Sequence, residues 1–259
     1  MNRSLTTIFL LLILSGCKYQ EKKTSQIFEQ VNSKNKTVTN EDLLDSVKLG
    51  INFKPNQNYS ALKRTILSDK VHFKNQFSTH PEKTIDSVSK YLYHKLVNEL
   101  VPHWYNTTWD FNGYTNIPKE GDIACGYFVS TTLKHLGFNL NRYKMAQQAG
   151  LNEAKTLQEN SKLKVFSNLS FKSLKNKLNT SYNDGIFFVG LDNHVGYVLI
   201  KGKEIYFLHS SYYDDKVMIE LAEYSPCFES NIYVFAEITT NKVLVKKWIL
   251  NEKLEVPNT

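Results

Sequence analysis

The chain has 259 residues, 41% apolar and 13% aromatic, enough to bury one domain with extensions or two small ones; fifteen Tyr and fifteen Phe favour sheet over an all-helical bundle. The net charge of +7 is spread along the chain and Lys far outnumbers Arg, which argues against phosphate-fork recognition and so against nucleic acid as a partner. A basic surface of this kind suits solvent, anionic cell-wall polymer or lipid headgroups.

Arg3 is followed by an uncharged run to Gly16 with an apolar heart, Ile8 to Leu14, too short to span a bilayer and patterned as a signal-peptide core. It ends in Leu14-Ser15-Gly16-Cys17, which resembles the bacterial lipobox. That resemblance implies that residues 1–16 are a lipoprotein signal peptide and that Cys17 is lipidated and becomes the mature N-terminus. The protein would then be a membrane-anchored lipoprotein of the cell envelope, in the periplasm or outer membrane. Residues 17–40 are polar and cannot bury much, so they are expected to be a tether.

Residues 41–101 carry a helical pattern. Leu43, Leu44 and Val47 mark a short helix, and Tyr59 to Phe77 is ambiguous. Ile85, Val88, Leu92, Leu96 and Leu100 mark a longer helix that should end before Pro102. The region is either an accessory unit or the first layer of the domain at 102–250. The loop from His103 to Tyr114 is dense in aromatics, and Trp104, Tyr105 and Trp109, with Tyr127, are candidate ligand-binding side chains; an aromatic core cluster is the equal alternative.

Asp122-Ile-Ala-Cys125-Gly-Tyr-Phe-Val then opens an amphipathic helix that Gly137 can close. Cys125 falls in its first turn, where unpaired N–H groups and the helix dipole favour a thiolate, so its pKa is expected to fall. A buried structural thiol is the alternative, and in an extracytoplasmic protein Cys125 and Cys227 could pair as a disulfide. Helices are expected over 142–149, 153–161 and 170–178. Strands follow over 186–191, 195–200 and 204–208, then within 213–221 and 231–238, with one more at 242–250. Helices first and an antiparallel meander afterwards make the fold α+β. His194 begins the second strand and His209 ends the third, so the hairpin makes them neighbours, one suited to act as base and the other to orient it.

The order of helix-start Cys, Asp184-Gly-Ile-Phe-Phe-Val, His194-Val-Gly-Tyr-Val and Phe207-Leu-His-Ser-Ser211 resembles the NlpC-type cell-wall cysteine peptidases, over about 103–240. The resemblance implies a papain-like fold, with a nucleophile helix packed on an antiparallel sheet. It implies cleavage of an amide bond in the peptidoglycan stem peptide by a Cys125–His194–His209 triad through an acyl-enzyme. Apart from the resemblance, no cofactor is expected, and the chain is expected to act as a monomer. This chain departs from the family in having Ala124-Cys125-Gly126-Tyr127 where Asp-Cys-Ser-Gly is usual, and in its large helical insertion at 138–180. The related CHAP amidases share the layout, so endopeptidase and amidase stay open. No metal is expected, because His103, His135, His194 and His209 form no ligand spacing and there is no Cys-x-x-Cys. The reading from another class is a non-catalytic lipoprotein that binds wall polymer, its two late cysteines bridged.

Overall fold

In the computed structural model, which describes residues 49–55, 57–158 and 162–257, Asn58 caps the helix Tyr59–Phe77. The leader, Cys17, the 17–40 stretch and the pattern at Leu43, Leu44 and Val47 lie outside the described residues. The Asn58 side-chain oxygen accepts from the N–H of Ser60 and Ala61, so the ambiguous stretch becomes a capped helix, α1 (Tyr59–Phe77). α2 (Pro81–His94) has Pro at its start and buries Ile85, Val88 and Leu92. It does not end before Pro102. A π-helical turn, Lys95–Leu100, carries it into α3 (Val101–Trp104), and there Pro102 occupies a new first turn that needs no N–H from it.

α4 (Cys125–His135) is closed by Gly137 at φ +97°. Two short helices follow, α5 (Arg142–Ala146) and α6 (Gly150–Leu157), then an unanticipated strand β1 (Lys164–Ser167) and α7 (Phe171–Ser181), capped by the Ser170 side chain. The strands β2 (Gly185–Gly190), β3 (Val195–Lys201), β4 (Glu204–Ser211) and β5 (Lys216–Leu221) form the expected meander. β6 (Ile232–Glu237) then crosses back to the free side of β2 and β1 pairs beyond it, so the order is β1-β6-β2-β3-β4-β5 with every pair antiparallel. The architecture is α+β. Residues 242–250 are not a strand but α8 (Lys242–Leu250), because Leu244, Val245, Trp248 and Ile249 lie on one helical face between an Asn241 cap and a left-handed Asn251.

Both faces of the central strands are covered, which is why β2 and β3 are nearly continuous apolar runs. Ile186, Phe188, Tyr197 and Leu199 face a core shared with α4, α1, α2 and α8, while Phe187, Val189, Val198 and Phe207 face α7. The Tyr197 hydroxyl lies 3.0 Å from the Val129 carbonyl and 2.7 Å from Thr132 Oγ1, fixing α4 on β3. Leu62, Ile66 and Leu92 belong to the same core as Val129 and Leu199, so the helices over 59–101 are the first layer of this domain rather than an accessory unit. Among the described residues no helix is long and apolar enough to cross a membrane.

Candidate active site

Cys125 is the first residue of α4, whose N-terminus has no side-chain cap, and backbone N–H groups of Val195, Gly126 and Cys125 itself point at its sulfur. The thiol pKa nevertheless does not fall. Burial, and behind it the Glu153 carboxyl, push it up to about 11. Stripping water from a thiolate costs more than those N–H groups return. Burial, with His209 second, also holds His194 well below the ordinary imidazole range. The resting pair is therefore a neutral thiol and a neutral imidazole, not a preformed ion pair. Alkylation of Cys125 by iodoacetamide should accordingly be slow at pH 7 and rise by about tenfold per pH unit to pH 10, following the thiolate fraction. A rate already at its plateau at pH 7 would contradict this.

His194 sits just before β3, 4% exposed, and His209 lies fully buried near the end of β4. Tyr197 pairs with Leu208, so the two strand ends are neighbours. His194 Nε2 and His209 Nδ1 are 2.9 Å apart, and His209 Nε2 is 3.0 Å from Glu220 Oε1. Glu220 is on β5, two residues beyond Met218, the partner of His209, and so on the same face. His194 Nδ1 is buried without a hydrogen-bond partner. The Cys125 thiol is thus not bonded to it; its tie to this strand is the N–H of Val195, the next residue. Cys125 and His194 line two common cavities, of about 620 and 730 Å³.

Cys125 and Cys227 are both free thiols, so the bridge of the alternative reading is not formed. Cys227 lies instead beside the histidines: its sulfur and one nitrogen from each of His194 and His209 fall within 4.8 Å of one another, a grouping the sequence spacing did not suggest. These are metal-ligand types, but the imidazoles face each other across a hydrogen bond and the sulfur sits 3.6 Å from Ser211 Oγ. His135 is elsewhere, bonded to the Tyr59 hydroxyl at 2.8 Å.

The aromatic candidates divide. Trp109 and Tyr127 line the 730 Å³ cavity with Cys125 and His194. Trp104 does not; it is fully buried, with its indole N–H 2.6 Å from the Tyr59 hydroxyl, because the helix that the π turn prolongs carries it inward. Tyr105 packs on Phe53 with ring centroids 4.5 Å apart and likewise stays outside that cavity. Phe111, Tyr114 and Tyr212 take their places in its wall, and Tyr212 meets the His194 ring edge-on at 5.1 Å. A Cβ on Gly126 would come within 2.7 Å of the Ala146 carbonyl and 3.1 Å of Glu153, so the segment bearing α5 and α6 leaves no room for a side chain after Cys125. Glu153 is buried with Oε2 unpartnered, and burial raises its pKa well above the carboxylate range, which places a neutral acid beside the thiol. Nothing in its local sequence marks it. Glu220 did carry a signal, as a single charge inside the apolar run Val217 to Leu221. No family model, curated protein or solved structure matches this chain.

Proposed function

We propose that this protein is a papain-like cysteine hydrolase of the NlpC type that cleaves an amide bond in the stem peptide of peptidoglycan. The observation that supports this best is His194: its Nε2 is held by a second histidine, its Nδ1 is buried without a hydrogen-bond partner, and the residue lines the same cleft as Cys125. In an unliganded site the nucleophile–base contact commonly tightens only when substrate binds. On this reading the thiol gives its proton to His194 Nδ1 as sulfur attacks the carbonyl carbon, and the N–H groups of the first turn of α4 face the oxyanion. Collapse breaks the C–N bond, the amine leaves with the proton from His194, and water, deprotonated by the same nitrogen, releases the acyl group from sulfur. Trp109, Tyr127, Phe111 and Tyr114 would bed the substrate's apolar faces.

Lipidation at Cys17 and a cell-envelope location belong to the same proposal on the strength of the lipobox, and action as a monomer without a cofactor is proposed alongside them. The test is digestion of purified sacculi, with the soluble products resolved by liquid chromatography and mass spectrometry. Muropeptides that gain one water and a new amine are expected, and their masses separate endopeptidase from amidase. Unchanged sacculi, under conditions in which a control hydrolase solubilises them, would refute the reading.

A further inference from the structure

The hydrogen-bond chain from His194 to His209 to Glu220 has a direction, and that direction decides whether His194 can accept a proton from a thiol. Each neutral imidazole carries one N–H and one bare nitrogen, while an ionised carboxylate only accepts. His209 is neutral in the folded protein, since burial holds it down to about 3. Burial raises the Glu220 carboxyl above its ordinary value; where it is ionised and accepts at Oε1, the N–H of His209 must be on Nε2, which leaves its Nδ1 as the acceptor facing His194 Nε2. His194 must then carry its proton on Nε2, and Nδ1, the buried atom without a partner, is the bare nitrogen. Reversing the chain would place a proton on Nδ1 and leave His194 no bare nitrogen.

We propose that Glu220 is a positioning residue that locks both imidazoles in the Nε2–H form and so keeps the buried, unpartnered Nδ1 of His194 unprotonated. Its place in the sheet suits the role. The His209–Met218 pairing puts Glu220 diagonally beside His209 on the same face of adjacent strands, so backbone register sets the contact and no flexible loop intervenes. Glu220 is 6% exposed, so little water competes for its bond to His209. The carboxylate would also stabilise the positive charge that reaches the histidine pair when the thiol gives up its proton. This inference rests on the proposed nucleophilic chemistry only for its consequence in turnover. The tautomers exist whether or not the protein is a hydrolase.

The test is long-range ¹H–¹⁵N correlation of protein labelled with ¹⁵N-histidine, which distinguishes a protonated from a bare Nδ1, applied to the wild type, Glu220→Gln and Glu220→Leu. The wild type should show His194 and His209 wholly in the Nε2–H form. Glu220→Gln keeps the size but its amide can donate or accept, and Glu220→Leu can do neither, so both should add a signal from His194 protonated at Nδ1. Turnover of muropeptides should fall in proportion to the share of protein in the wrong tautomer, about tenfold where that share reaches roughly nine-tenths. Unchanged tautomers in a folded Glu220→Gln protein would overturn the proposal, and this holds even if the leucine variant fails to fold. A changed tautomer population in a protein that never cleaves peptidoglycan would leave the relay standing and remove the hydrolase reading. Unchanged tautomers in an active enzyme would remove the relay alone.

Discussion

Cys125→Ser is expected to abolish turnover of peptidoglycan while leaving the fold intact. The substitution changes one atom in a half-buried position whose contacts are backbone N–H groups, so the packing of α4 on β3 through Tyr197 is untouched. On the proposed mechanism the chemistry, by contrast, loses its nucleophile. The thiol is already hard to ionise, at about 11, and a hydroxyl is far harder, while His194 is too weak a base in its buried site to make up the difference. A loss of at least about 10³-fold in kcat, at unchanged thermal midpoint, is the expected measurement. Retained activity in Cys125→Ser would transfer suspicion to Cys227, the thiol that lies within 4.8 Å of the histidine nitrogens.

The second large effect concerns the histidines. His194→Ala should lower kcat by about 10² to 10⁴-fold, the usual share of a general base. From sequence, His209→Ala would be the milder variant, because a neighbouring hydroxyl such as Ser210 could stand in. The structure removes that substitute. Ser210 follows His209 on a strand and therefore points to the opposite face, where its hydroxyl donates to the Ile123 carbonyl at 2.7 Å. His209 itself is fully buried, stacked on Phe207 at 4.1 Å, so no water replaces it without a cavity. His209→Ala is expected to approach the His194→Ala loss in kcat and, unlike it, to lower the thermal midpoint as well. Wild-type activity in either variant, measured on soluble muropeptides, would show that the pair does not serve the reaction.

Much of the fold was legible in local pattern. The helix-closing Gly137, the turn at Lys201-Gly202-Lys203 and the apolar runs of β2 to β4 each carry their signal within a few residues, because capping and strand propensity are short-range effects. The neighbourhood of His194 and His209 followed from the same local logic, since a tight hairpin leaves two strand ends no other arrangement. Where the expectations failed, the deciding contact was distant. Lys242 to Leu250 became a helix because one side of that segment completes a core with α1 and α2, with Leu244 and Trp248 in the same cluster as Leu62 and Leu92. Trp104 entered the core through a π turn that nothing nearby announced, and Trp109 stayed at the cleft.

The α+β class, the helix-start position of Cys125 and the pairing of His194 with His209 are consequences of periodicity, capping and hairpin geometry, all readable along the chain. The protonation of the site and its membership came from packing between distant segments. The thiol is held neutral because packing removes its water, and Glu153 stands beside it because α6 folds over Gly126. Glu220 reaches His209 because β5 pairs with β4 in one register and no other. Desolvation and cross-strand contact depend on residues far apart in the chain, and no local pattern encodes them.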